Sequence, residues 1–266
     1  MEIEDWLGKD NKIGIDIFES KYRYNKETFE DWLNRISNGN EAVKKLILEK
    51  KFLFGGRILS NRGLQDKGKK VTYSNCFVLP PPEDNLESIF ETTKKMARIY
   101  ANGGGAGLSL GKLRPNGSKV NNNAETSTGV APFMDMYSKV TETIGARGRR
   151  GALILILPSN HPDIEEFIKS KLDLTKVVKA NISIWADDAF MKAVVEDSDY
   201  ELYFKVEQTG EVITKTIRAK ELMKMIAESN HRTGEPGILF VDRIKKYNLM
   251  QYAKDFEITG VNPCGH

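Results

Sequence analysis

The chain predicts an α/β fold on a largely parallel sheet, and three observations carry that expectation. From Thr72 onward, short apolar runs alternate with amphipathic stretches in β, α, β, α order. One run, "ALILILP", is apolar on both faces, as a strand buried between two layers must be. The composition, 40% apolar and 29% charged residues over 266 positions, is that of an ordinary globular chain rather than a disordered one.

Residues 1–70 read as an N-terminal helical subdomain. "KETFEDWLNRIS" sets Phe29, Trp32, Leu33 and Ile36 at helical spacing, and "EAVKKLILEKKFLF" repeats the pattern until "GGR" interrupts it. "SNCFVLP" is then a compact strand ended by Pro80, Pro81 and Pro82. Asp84 stands where a helix cap belongs. Leu86, Ile89, Phe90, Thr93, Ala97 and Tyr100 share one face of the helix that follows, and Gly103, Gly104 and Gly105 end it. "AGLSLGKL" is the next extended piece, and a loop rich in Gly, Asn and Ser leads from it to the helix "VAPFMDMYSKVTETI". After "GARGRRG" come the strand "ALILILP" and the helix "NHPDIEEFIKSK", with Asn160 as cap, Pro162 in the first turn and acids near the positive end of the dipole. The rest reads as strand "VVKANISIWA", helix "DDAFMKAVVED", a hairpin of "YELYF" and "VITKTI", helix "AKELMKMIAES", strand "GILFVDRI" and a last strand "FEITGVNPC".

Several function classes recede on composition alone. A formal charge of +3 is too small for wholesale contact with a phosphate backbone, so no nucleic-acid partner is expected. No apolar run reaches the length of a membrane span, and the acidic start "MEIEDWLGKD" lacks the basic region and apolar core of a secretory signal, so the expected location is cytoplasmic, with no membrane partner. Cys76 and Cys264 are the two cysteines. No CxxC or Cys/His spacing offers a metal site, and thiols in such a chain are more often unreactive than bridged. If the two share a task, it is redox or radical chemistry.

Two clusters stay open on local reading. The glycines at 103, 104, 105, 107 and 111 follow a helix and open a strand, the reverse of a dinucleotide fingerprint. They serve equally as a helix C-cap with a close-packed turn, or as bare backbone that a phosphate or ribose can approach. Arg147, Arg149 and Arg150 lie in a glycine-punctuated turn, either a solvated basic loop or a loop that reads a nucleotide by guanidinium contacts.

Taken together, "YSNCFVLP", "GGGAGLSLGKLRPNGS", "STGVAPFMDMYSKVTETIGARGRRGAL", "HPDIEEFIKSK" and "GVNPCG", in this order and at these separations, resemble the large catalytic subunit of ribonucleotide reductase from about Trp6 to Gly265. The resemblance implies a ten-stranded α/β barrel of two five-stranded halves, with residues 71–266 forming the first half, and radical replacement of the ribose 2'-OH by hydrogen. It puts the thiyl radical on Cys264, which takes the 3'-hydrogen of the substrate ribose. A sulfur radical needs a dry, rigid site to avoid side reactions. Cys76 is then one of two thiols that supply reducing equivalents and finish as a disulfide. Asn262 matches the asparagine that hydrogen-bonds the substrate hydroxyl region, and Ser74, Asn75 and the backbone of Gly104 and Gly105 match positions that hold substrate phosphate and ribose. Asp84 and Arg114 fall where the family binds a deoxynucleoside triphosphate (dNTP) effector across a homodimer interface, Asp84 toward the nucleoside and Arg114 toward the phosphates. Residues 145–151 correspond to the loop that carries effector identity to the substrate base, with Arg149 or Arg150 as the reporter.

Two departures from the family pattern bear on these expectations. The family continues "NPCGE", whose glutamate is a general base, whereas His266 stands here and reads as a truncation or junction residue. The second barrel half is missing, with the partner thiol of Cys76. A five-strand half leaves open sheet edges and an uncovered apolar face, so a complementary C-terminal half is the expected partner, with a ribonucleotide substrate and a thioredoxin-like reductant. No ATP-binding regulatory cone is read before Trp6. The wording of "NPCG" and "GRRGAL" lies nearer the adenosylcobalamin-dependent branch than the branch with a radical-generating small subunit. A different class of function uses the same residues: a non-catalytic nucleotide-binding or regulatory protein in which Cys264 is a relic.

Overall fold

The structure, a computed structural model, describes residues 2–120, 125–144 and 151–265, apart from the side chain of Gln251. It divides into two compact units, Met1–Asn75 and Cys76–His266. The first is helical: α1 (Ile3–Leu7), α2 (Lys12–Ile17), α3 (Phe29–Ser37), α4 (Glu41–Leu48) and α5 (Gly56–Asn61). Thr28 and Asp31 form a reciprocal cap at the start of α3, each side chain accepting from the other's backbone N–H. The expected stripe, Phe29, Trp32, Leu33 and Ile36, is buried, and the Trp32 indole donates to Leu59 O at 3.2 Å. Arg35 and Glu27 form an ion pair at 2.6 Å inside this unit, both side chains nearly buried.

The second unit carries the sheet. Strands β1 (Cys76–Leu79), β2 (Gly105–Ser109), β3 (Leu153–Pro158), β4 (Asn181–Ala186) and β7 (Gly237–Phe240) lie in the order β1-β2-β3-β4-β7, and every neighbouring pair is parallel. Helices α6 (Leu86–Ala101), α7 (Ala131–Thr143), α8 (Ile164–Lys169), α9 (Asp188–Glu196) and α10 (Ala219–Thr233) make the crossovers that parallel neighbours require. Strands β5 (Asp199–Lys205) and β6 (Val212–Arg218) form the expected antiparallel hairpin, and α11 (Val241–Tyr247) follows β7. The parallel α/β architecture is therefore the one anticipated.

The two faces of the sheet separate by residue parity. Along β3, Leu153, Leu155 and Leu157 enter the main core under the helices, with Met96, Tyr100, Tyr137, Phe167 and Phe190. Ile154 and Ile156 point the other way, onto Val261. Each such aliphatic side chain contributes roughly 1.5–3 kcal/mol by leaving water. This is why "ALILILP" shows no polar alternation.

Local readings fail at five places. "FEITGVNPC" forms no strand: residues 256–262 are irregular and cross the second face of the sheet. Face-on packing replaces edge pairing because β2 presents glycine there. A Cβ on Gly107 would lie 1.8 Å from Val261 O, and one on Gly105 would lie 3.1 Å from the Pro263 ring. In "GILFVDRI" the strand stops at Phe240 and the remainder begins α11, whose Val241 is buried. Helix α6 buries Ile89, Thr92, Met96 and Tyr100, leaving Leu86 and Phe90 at 57% and 56% exposure, because the side toward β2 and α7 is offset from the stripe that spacing suggested. Asn85 caps α6, accepting from Ser88 N at 2.8 Å, while Asp84 is engaged elsewhere. Helix α8 starts after Asp163 rather than at an Asn160 cap.

Candidate functional site

The parallel sheet has two ends, and the residues singled out by sequence gather at both. Cys76 is the first residue of β1, in register with Gly105, the first residue of β2. Across this amino-terminal edge runs the segment that ends at Cys264. Val261 is buried against Ile154 and Ile156, and its carbonyl approaches Gly107 so closely that no side chain fits between. Pro263 sits over Gly105. Asn262 then closes a tight turn: its side-chain oxygen accepts from Cys264 N at 3.0 Å and its carbonyl accepts from Gly265 N at 2.9 Å.

The turn brings the Cys264 sulfur to 3.8 Å from the Cys76 sulfur, across a sequence separation of 188 residues. That is a thiol contact rather than the bond of about 2.05 Å that a disulfide makes. Cys264 is exposed and Cys76 partly buried. Two sulfurs in contact, one of them open to a ligand, can pass a hydrogen atom between them or join by oxidation. The sulfur thus sits on a turn laid over the sheet rather than at the tip of a strand, which corrects the expected setting of Cys264.

Gly104 donates its N–H to Ile99 O at 2.9 Å, ending α6. Its N–H is thus committed to the helix end, and the residue is buried with Ile99 and Phe77 packed where a side chain would stand. Ser74 and Asn75 precede Cys76 in the chain and belong to the first unit, where the Asn75 side-chain oxygen accepts from Arg57 Nε at 2.9 Å and Ser74 N donates to Thr72 Oγ1 at 3.2 Å. Arg147, Arg149, Arg150 and His266 lie outside the described residues.

At the carboxyl ends of the strands the loops after β1 and β2 bring Asp84 and Arg114 together. Arg114 Nε donates to Asp84 Oδ2 at 2.6 Å and Arg114 N to Asp84 Oδ1 at 3.1 Å, with both side chains mostly buried. They line a cavity of about 820 Å³, within the size range of small-molecule sites. Leu86, Ile89 and Phe133 supply its apolar wall, and Lys119, Ser127 and Thr128 add a cation and hydroxyls. Apolar surface beside cation and hydroxyls suits a ligand with a flat base and an anionic tail. Asp84 and Arg114 face each other here, whereas the expected roles had them engaging separate parts of a ligand.

In sequence "HPD" reads as a helix start and as part of a family motif, with no site role, yet it fixes this cavity. The Asp163 carboxylate accepts from Asn116 N and Val130 N, both at 3.0 Å, clamping the two ends of the loop that carries Lys119 and Ser127. Buried His161 is held at 2.8 Å from Leu113 O by Nε2 and accepts from Asp163 N at Nδ1. Those contacts require the neutral tautomer protonated on Nε2, and burial lowers the His161 pKa in the same sense. The tip of the β5–β6 hairpin was also missed: Gln208 and Thr209 line the cavity. The only signal for either was the cluster of hydrogen-bonding residue types, with nothing local to name their partners.

Among the described residues there is no group of three or more His, Cys, Asp or Glu able to hold a metal ion, and no helix long and apolar enough to cross a membrane.

Residues 74–266 match the family model described as ribonucleotide reductase, barrel domain. The chain is 33% identical over 270 residues to a vitamin B12-dependent ribonucleoside-diphosphate reductase of Thermoplasma acidophilum, an overlap of 97% of this chain and 34% of that protein. It is 33% identical over 227 residues to the protein of the same name in Mycobacterium tuberculosis, covering 85% of this chain and 31% of the relative. Identity to the ribonucleoside-diphosphate reductase large subunit of Dictyostelium discoideum is 29% over 224 residues, covering 74% and 25%. The chain spans about a third or less of the length of these curated relatives.

Proposed function

The chain belongs to the ribonucleotide reductase family, and from that membership we propose that it supplies the first half of a catalytic barrel that reduces ribonucleotides to deoxyribonucleotides. The observation that carries the reading is the contact of Cys76 and Cys264 at 3.8 Å on the face of a five-stranded parallel sheet. In this reading Cys264, as a thiyl, takes the 3'-hydrogen of the substrate ribose and later returns it. The 2'-hydroxyl leaves as water with a proton from one of two thiols, and C2' gains the hydrogen of the other. The two electrons come from Cys76 and a second thiol in the complementary barrel half, which finish as a disulfide, and a thioredoxin-like dithiol restores them. Asn262 holds the turn that aims Cys264 and offers its amide to the substrate hydroxyls. Gly105, opposite Cys76, gives up its side-chain space to Pro263 and so seats the turn that carries Cys264.

The names of the curated relatives point to adenosylcobalamin as the radical source. The donor chemistry fits, since Cys264 is exposed and is followed by Gly265 at φ +80°, with no side chain to obstruct a large planar group. Bound there, adenosylcobalamin would supply the hydrogen-atom abstraction, and the exposed Cys264 sulfur is the atom that would give up its hydrogen. The Asp84–Arg114 cavity is the dNTP effector site. The exposed Leu86 beside it, with Phe90 one turn further along α6, is the surface through which a second copy docks.

The test is deoxyribonucleotide formation by the chain combined with the polypeptide that completes its barrel, given adenosylcobalamin, a dithiol and a ribonucleoside diphosphate. Turnover that disappears in both Cys264→Ser and Cys76→Ser supports the proposal. Turnover that survives Cys264→Ser removes it.

A further inference from the structure

The hairpin of β5 and β6 turns at Gly210, in the left-handed region at φ +72°. Its tip reaches the Asp84–Arg114 pair. The Gln208 carboxamide bridges the two residues: Oε1 accepts from Arg114 Nη2 at 3.2 Å, and Nε2 donates to Asp84 O at 3.1 Å. Glu211 anchors the same tip by accepting from Lys119 N at 3.0 Å. Gln208 and Asp84 also line a neighbouring cavity of about 470 Å³, so the carboxamide stands in the partition between the two spaces.

The acceptors around the guanidinium differ in how firmly they are held. Nε is committed to the Asp84 carboxylate at 2.6 Å and Nη1 to Lys119 O at 2.9 Å. The first joins two full charges and the second ends on backbone. Nη2 is shared between Asp84 O at 3.4 Å and Gln208 Oε1 at 3.2 Å, and Gln208 is a neutral, exposed side chain on a separate hairpin. A phosphate oxygen carries formal charge where the amide oxygen of Gln208 carries only a partial one, so an anion entering the cavity attracts the guanidinium more strongly than Gln208 does and displaces Gln208 before it displaces the Asp84 carboxylate.

We propose that Gln208 is the latch that sets ligand affinity in this cavity: it occupies the Arg114 edge that an anionic ligand takes, and binding exchanges its Oε1 for a ligand oxygen. The proposal rests on the effector reading of the cavity but names a residue and a sign that reading does not supply. Removing the carboxamide spares the ligand the cost of breaking a hydrogen bond. A carboxylate at the same position competes harder.

Equilibrium dialysis of the 266-residue chain with dTTP, thymidine and inorganic tripolyphosphate tests it. Gln208→Ala tightens dTTP and tripolyphosphate by roughly 2- to 10-fold, the worth of one net hydrogen bond, and leaves thymidine unchanged. Gln208→Glu weakens both anions. Gln208 is exposed, so thermal midpoints stay at the wild-type value, and a role in folding alone would not produce opposite signs in the two variants. Unchanged or weaker anion binding by Gln208→Ala overturns the latch, as does failure of every probe to bind. If tripolyphosphate follows the predicted order while dTTP does not bind the wild type, the latch stands and the nucleotide reading falls.

Discussion

Replacing Gly107 with alanine strikes the feature on which the thiol pair depends. The added Cβ falls 1.8 Å from Val261 O and 2.8 Å from Val261 C, and both are backbone atoms that no rotamer can move. Reaching the 3.0 Å below which Cβ contacts essentially do not occur requires an opening of at least 1.2 Å, the difference of the two distances. The neighbours on β2, Ala106 and Leu108, lie wholly in the core beneath the helices, so the strand is the fixed partner and the segment yields. Val261 then lifts from Ile154 and Ile156, at a cost of up to about 1.5–3 kcal/mol if its burial is lost entirely. The Asn262 turn moves with it, and the 3.8 Å sulfur contact opens. A displacement of about 1 Å between reacting groups can cost on the order of 10²-fold in rate. The assay is diamide oxidation followed by mass spectrometry for loss of two hydrogens, with urea unfolding run beside it. Wild type joins Cys76 to Cys264 quickly, and Gly107→Ala does so slower by that order. Wild-type oxidation and stability in Gly107→Ala would refute the claim that the segment lies on β2.

Three further outcomes follow from the geometry. On the effector reading, Arg114→Ala leaves Lys119 as the remaining cation and the Asp84 carboxylate unpaired facing the cavity, so dTTP affinity, measured by dialysis, falls on the order of 10- to 100-fold. Cys264→Ser leaves dTTP affinity unchanged, because the thiol pair and the cavity lie at opposite ends of the strands. His161 titrates below its ordinary value in the folded chain, so the unfolded chain binds the extra proton first. Stability is therefore full above about pH 6.5 and falls as pH drops toward the folded value, by up to about 1.4 kcal/mol per unit for one proton. The urea midpoint of His161→Gln, compared with wild type at pH 7.5 and 5.5, should lack that component.

What was legible in the sequence was whatever a strand or helix decides locally. "ALILILP" announced a strand buried on both sides because it supplies apolar residues to both cores, and the β5–β6 hairpin was visible from two strand-like runs around Gly210. "FEITGV" has the β-branched texture of a strand as well, but Val261 lies on Gly107 of β2, 154 residues earlier, and no local pattern reports that. Asp84 and Asn85 are equally good caps by type. The contest is decided by Arg114, 30 residues away, which takes Asp84 and leaves Asn85 the helix. His161, Asp163 and Gln208 were missed for the same reason, since each is defined by partners in other loops. The convergence of Cys76 and Cys264 was anticipated only through family resemblance, because a contact across 188 residues has no local signature.

The proposed radical role of Cys264 can be tested at one sulfur. In the completed barrel with adenosylcobalamin, rapid-freeze electron paramagnetic resonance on Cys76→Ser protein grown with β-deuterated cysteine leaves Cys264 as the labelled thiol of this half. The signal should persist and narrow on deuteration, and it should vanish in Cys264→Ser. A signal retained in Cys264→Ser, or one in Cys76→Ser indifferent to the label, would place the radical on another atom and contradict the role given to the turn at Asn262.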